Sequence, residues 1–146
     1  MLQPIIKSYL ITTKGLEWIR PAFVLAVRVY VAWVFFKSGL VKIQSWDSTV
    51  MLFEYEYSVP LLSAYWAALL GTIAELTFPV LLVLGLGGRV TTMGLFIFNA
   101  IAMSSYPDIS PAGTQQHLLW GFMILTLFFY SMDKLSVDYW IRRRFD

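Results

Sequence analysis

The sequence predicts an all-α integral membrane four-helix bundle with N and C termini cytoplasmic, and three observations carry that reading. Four long apolar stretches are present, and 146 residues cannot build a soluble shell around four such helices. Hydrophobic residues make up 58% of the chain and charged residues only 14%, well off the profile of a soluble domain. The cations gather between alternate stretches, which is the bias that orients membrane helices.

Residues 1–20 mix Ile5, Ile6, Leu10, Leu16, Trp18 and Ile19 with Lys7, Lys14 and Arg20. They are expected to form an interfacial amphipathic lead-in that ends at the Arg20-Pro21 step; a peptide-binding arm is the alternative. No apolar run followed by a small-residue cleavage site occurs there, so the first span is expected to be retained. A four-span transmembrane bundle then occupies 21–133, and 134–146 is a basic interfacial tail with Trp140 and three consecutive arginines. The spans are expected at about 22–42, 60–87, 90–105 and 117–132. Residues 43–59 form the longest connection, and the alternation around LFEYEY suggests a short strand or a half-embedded loop. Residues 106–116 read as a turn-rich loop.

Lys7, Lys14, Arg20, Arg89, Lys134, Arg142, Arg143 and Arg144 fall on one side of four spans. The other side sets Lys42 against Asp47, Glu54, Glu56 and Asp108. The positive-inside rule puts the first group in the cytoplasm, and the basic tail fits anionic lipid rather than nucleic acid.

Glu75 is the single formal charge of the second stretch, and a carboxylate inside a bilayer must be neutralised, paired or hydrogen-bonded. Pro79 has no N–H, so the Glu75 carbonyl loses its helical partner. Counted from the expected span ends, Glu75 lies about 18 Å deep and Arg28 about 10 Å, a difference an arginine side chain can bridge. Arg28–Glu75 is therefore the expected buried pair, either a register lock or part of a ligand site. Asn99 falls near the depth of Glu75 and joins this polar core. At the outer rim the expected group is Lys42, Asp108 and His117, with Glu54 or Glu56 above it. That group is either a clasp closing the bundle or the entrance to a pocket. Trp33, Phe36, Trp66 and Trp120 are the candidate ring contacts, each equally readable as lipid-facing or core packing.

The chain has no cysteine and one histidine, so thiolate-held clusters and bis-histidine haem within one protomer are excluded. His117 with Asp108 and Met103 would make only a weak metal site, and none is assigned. No catalytic residue is assigned either.

Several of these positions carry a resemblance. Arg28, Ser38-Gly39 and Lys42 stand at the spacing of the first span of the DoxX family of small bacterial four-span membrane proteins. Glu75, the leucine-rich run to Leu86, and Gly85 with Gly87-Gly88-Arg89 resemble the second. Lys134-Leu135-Ser136-x-Asp138 is similar to the family's closing pattern, although Ser131-Met132-Asp133 replaces its glycine–proline turn. The long outer loop, Tyr106-Pro107-Asp108 and His117-Leu118-Leu119-Trp120 resemble a subgroup found beside maturation machinery for small copper-binding peptides. The resemblance implies a multi-pass protein of the bacterial inner membrane. It also implies an accessory role in a redox or maturation system rather than a complete enzyme.

Three functions fit these observations. The first is an accessory subunit with a quinone or small apolar ligand in the bundle, beside an oxidoreductase or maturation partner. The second is a proton or solute transporter, for which four spans are few and a homo-oligomer would supply more. The third is a structural anchor for a partner protein, in which Arg28, Lys42 and Glu75 are architectural.

Overall fold

A single helix, α1 (Leu2–Gln44), runs through both the expected lead-in and the first span. The computed structural model describes residues 2–130 and 134–145, so the Ser131-Met132-Asp133 departure lies outside the described residues. The expected stop at Arg20-Pro21 does not occur. Proline removes one N–H and crowds the carbonyl of Glu17, but Glu17 and its neighbours are exposed. Solvent or headgroups can therefore satisfy that carbonyl while the helix continues.

Five more helices follow: α2 (Trp46–Tyr55), α3 (Ala64–Leu84), α4 (Gly88–Ser104), α5 (Pro111–Tyr130) and α6 (Val137–Phe145). The fold is all-α among the described residues, but with six helices it is not a plain four-helix bundle. Among the described residues, α1 and α3 are the two helices long and apolar enough to cross a membrane.

The helix α2 replaces the expected strand or loop. Its residues also carry a helical period, Trp46, Val50 and Phe53, and that stripe, continued by Tyr57 just beyond the helix, packs on Ala67 and Ala68 of α3. Burying the stripe prevails over the shorter two-residue alternation. Ser45 breaks α1 from α2, and Thr49 Oγ1 donates to the Lys42 carbonyl at 2.9 Å, holding the corner. The helix α5 begins six residues before the expected span. Pro111 suits a first helical turn, and Ser110 Oγ accepts the Gly113 N–H at 3.1 Å.

The main core joins α1 (Val24, Val31, Ala32, Phe35), α3 (Leu82), α4 (Leu95) and α5 (Ile124, Leu127). The buried face of α1 also includes Arg28 and Gly39, with Lys42 continuing it. A Cβ on Gly39 would lie 2.9 Å from Leu76 Cδ2 and 3.1 Å from Glu75 Cβ, so glycine sets the close approach of α1 and α3. At the opposite end α3 stops in a left-handed Gly85 (φ +64°). The Leu86 N–H reaches Leu81 O at 2.9 Å and the Gly85 N–H reaches Leu82 O at 3.1 Å, the double bond of a Schellman stop.

Candidate functional site

Two polar groups lie inside this apolar body, one toward each end. At the glycine turn, Arg28 is buried, and its Nη1 donates to the Leu135 carbonyl at 3.4 Å. Residues 135–138 fold onto the same turn. The Asp138 N–H donates to Gly85 O at 3.2 Å, and Asp138 Oδ1 accepts the Gly87 N–H at 3.1 Å. Ser136 Oγ accepts the Tyr139 N–H at 3.3 Å and caps α6.

The second group is centred on Glu75. Lys42 Nζ donates to Glu75 Oε1 at 2.7 Å and to Oε2 at 2.6 Å. Ser38 Oγ donates to Oε1 at 3.2 Å and receives a bond from Lys42 Nζ at 3.0 Å. The two side chains are only 12% and 9% exposed, so each charge depends on the other. The expected Arg28–Glu75 pair is therefore corrected. The expected depth counts from Pro21, whereas the first core residue of α1 is Val24 and Arg28 lies level with Gly85. Fourteen residues, about 21 Å of helix, separate Arg28 from Lys42.

Two cavities flank the Lys42–Glu75 pair and share Tyr57 and Ala102 as a partition. The larger, about 460 Å³, is lined mainly by apolar groups such as Phe53, Leu70 and Phe98. The smaller, about 200 Å³, also has Ser38, Tyr106, His117 and Trp120 in its wall. Tyr57 stacks between Phe53 and Tyr106, with ring centres 4.6 and 5.1 Å away. Burial, together with the negative charge of Glu75, pushes the Tyr57 hydroxyl above its usual value. Tyr106 Oη donates to Glu56 Oε2 at 3.2 Å, and that carboxylate raises Tyr106 likewise.

Asn99 does not join Glu75. Its Nδ2 donates to the His117 carbonyl at 2.9 Å, and its Oδ1 meets His117 Nδ1 at 2.9 Å. That arrangement puts the ring hydrogen on Nδ1 and leaves Nε2 as an acceptor. Lys42 and His117 line one cavity, whereas Asp108 is exposed and outside its lining. Glu54 is exposed on α2, and Glu56 holds Tyr106. Among the candidate ring contacts Trp120 lines the smaller cavity, edge-on to Phe35 and His117. Trp33 and Trp66 are 59% and 55% exposed, and Phe36 is half-buried.

Ser38, Tyr57 and Tyr106 entered the site without being singled out for it. Ser38 had a signal, since it stands one helical turn before Lys42. The two tyrosines had none, because their meeting depends on the connection after α2 lying against the connection after α4.

Residues 23–106 match the DoxX family. The chain belongs to the DoxX family. A DoxX match over that range takes in Arg28, Ser38, Lys42, Glu75 and the glycine turn, while His117 and the α6 clasp lie beyond it. An uncharacterised protein of Haemophilus influenzae is 28% identical to this DoxX chain over 127 residues, covering 82% of this chain and 83% of that protein. No solved structure matches the chain. Among the described residues, no group of three or more His, Asp or Glu could hold a metal ion.

Proposed function

We propose that this DoxX-family protein is a multi-pass inner-membrane accessory subunit of a redox or maturation system, and that it takes a quinone-class molecule in its bundle. The observation that carries the ligand is the apolar cavity of about 460 Å³ with the buried Lys42–Glu75 pair in its wall. Ligand sites of this kind are mostly apolar with a few convergent polar groups, and the volume lies in the range used for small molecules. Lys42 can redirect to a ring carbonyl the hydrogen it gives to Ser38 Oγ, and Glu75 can accept from a ring hydroxyl. The chain's own part is to bind and orient the ring in a dry slot, and electrons are exchanged with a partner subunit.

The topology follows from the same arrangement. The helices α1, α3, α4 and α5 cross the bilayer, with the Gly85–Arg89 turn and α6 on the cytoplasmic side. Supporting this, Arg89, Lys134, Arg142, Arg143 and Arg144 all belong to that end. At the other end, the Ser58 N–H bonds the Ser105 carbonyl at 2.8 Å and joins the two outer connections.

Decylubiquinone titrated calorimetrically into protein in lipid nanodiscs tests the ligand. Saturable binding is expected. Either Lys42→Met or Glu75→Gln alone leaves a buried partner uncompensated and costs about 3–5 kcal/mol of stability. The double substitution Lys42→Met/Glu75→Leu restores most of that stability, because an apolar pair replaces the buried charges. It still weakens quinone binding by about tenfold or more through loss of a charged hydrogen bond. Absence of saturable binding by the unmodified protein overturns the ligand.

A further inference from the structure

Ser105 follows the last residue of α4 and lines the larger cavity. Its backbone is satisfied on both sides: the N–H donates to Ile101 O at 2.9 Å, and the carbonyl accepts from Ser58. Its hydroxyl is not. The residue is 1% exposed, and Oγ has no hydrogen-bond partner. Folded proteins keep few such groups, because an unmade buried hydrogen bond is destabilising.

A serine near a helix end ordinarily bonds back to a carbonyl three or four residues earlier. Ser104 does so, with Oγ at 3.1 Å from Ile101 O, and Thr72 does so on Ala68 O at 2.7 Å. Ser105 would share the Ile101 carbonyl, but that oxygen already accepts the Ser105 N–H and the Ser104 hydroxyl. Both of its lone pairs are occupied. The Ile101 carbonyl is thus closed to the Ser105 hydroxyl, and rotation about one side-chain bond sets which neighbours it faces.

We infer that Ser105 is a second binding group of this cavity. It bonds the far oxygen of a flat apolar ring whose near oxygen meets the Lys42–Glu75 pair. This rests on the ligand reading above and narrows it to rings with two oxygens on opposite edges. The two stations share one chemical property. A hydroxyl donates to a carbonyl and accepts from a hydroxyl, and Lys42 with Glu75 does the same as a pair. The cavity therefore holds the oxidised and reduced forms of such a ring with affinities within a few-fold of each other.

The test compares the unmodified protein with Ser105→Ala in nanodiscs, using decylubiquinone, decylubiquinol and an alkyl-matched ring with a single ketone. Removing the hydroxyl breaks no bond within the protein, so Tm without ligand is expected to stay level or rise. Affinity for the quinone is expected to fall about threefold to tenfold, as for one neutral hydrogen bond, and affinity for the single ketone to stay unchanged. A lower Tm with unchanged quinone affinity makes Ser105 structural and overturns the inference alone. Quinone binding by the unmodified protein that Ser105→Ala leaves intact also overturns it alone. Failure of the unmodified protein to bind either redox form removes the ligand reading and this inference together.

Discussion

Arg28 and Lys42 stand on one face of α1, yet they meet different partners because they lie toward opposite ends of the apolar body, and each suits the partner it meets. The guanidinium presents several donors in a plane, which suits the carbonyls of a chain reversal, and it is seated at the Gly85 turn. The ammonium is a compact charge and takes both oxygens of one carboxylate. Gly85 makes the first arrangement possible. It holds φ at +64°, and an added Cβ would lie 2.5 Å from Ser136 Cβ and 2.8 Å from Arg28 Nη1. Gly85→Ala is expected to lower stability by about 3 kcal/mol or more, from left-handed strain plus overpacking. Gly15→Ala, where nothing lies within 4 Å, is expected to stabilise the helix by up to about 1 kcal/mol. Thermal unfolding of both in one detergent checks the contrast. The Tyr106–Glu56 bond adds a pH dependence. Because Tyr106 is raised in the folded protein, its contribution is complete below about pH 10 and is lost as pH climbs through the folded value. Ultraviolet titration should show Tyr57 and Tyr106 ionising late, and Glu56→Gln should return Tyr106 toward the ordinary range. Of these residues, sequence alone singled out Arg28, Lys42 and Glu75 but paired the wrong two, because pairing depends on where a helix enters the core.

At the scale of elements, helix type was legible wherever apolar runs were long. The runs of α3 and α4 lie within a few residues of their expected bounds, and their stops are marked by glycine and serine. Boundaries failed where a rule of local chemistry had two outcomes. Pro21 suited either a first turn or a tolerated interior position, and exposure on its outer side permitted the second. The pattern of 46–57 fitted a strand at short range and a helix at longer range, and contact with α3 decided between them. The meeting of α1 and α3 at Gly39 is the element contact on which the site depends. Gly39→Leu is expected to push these helices apart, cost about 2–3 kcal/mol, and abolish quinone binding by separating Lys42 from Glu75. Gly39→Ala is expected to be milder, since the nearest atom is the mobile tip of Leu76. Calorimetry and thermal melts on the same two variants separate packing from binding.

Across the whole molecule, motifs that carried the resemblance to the DoxX family prove to be joints. Gly85 and Gly87 on one side and Leu135, Ser136 and Asp138 on the other form one clasp, although some fifty residues separate them. The family pattern marked both halves in the sequence but not their contact. The Leu135 carbonyl reaches back farther still, to Arg28, across 107 residues. That span sets an order of events during biosynthesis. At ordinary elongation rates of about 5–20 residues per second, Arg28 leaves the ribosome roughly 5–20 s before Leu135 does. The first helix is therefore complete while its arginine still lacks that carbonyl. Its final seat is available only when the last turns of the protein arrive. Release of the chain after Tyr130 would leave Arg28 without the Leu135 carbonyl, a natural point for quality control to act.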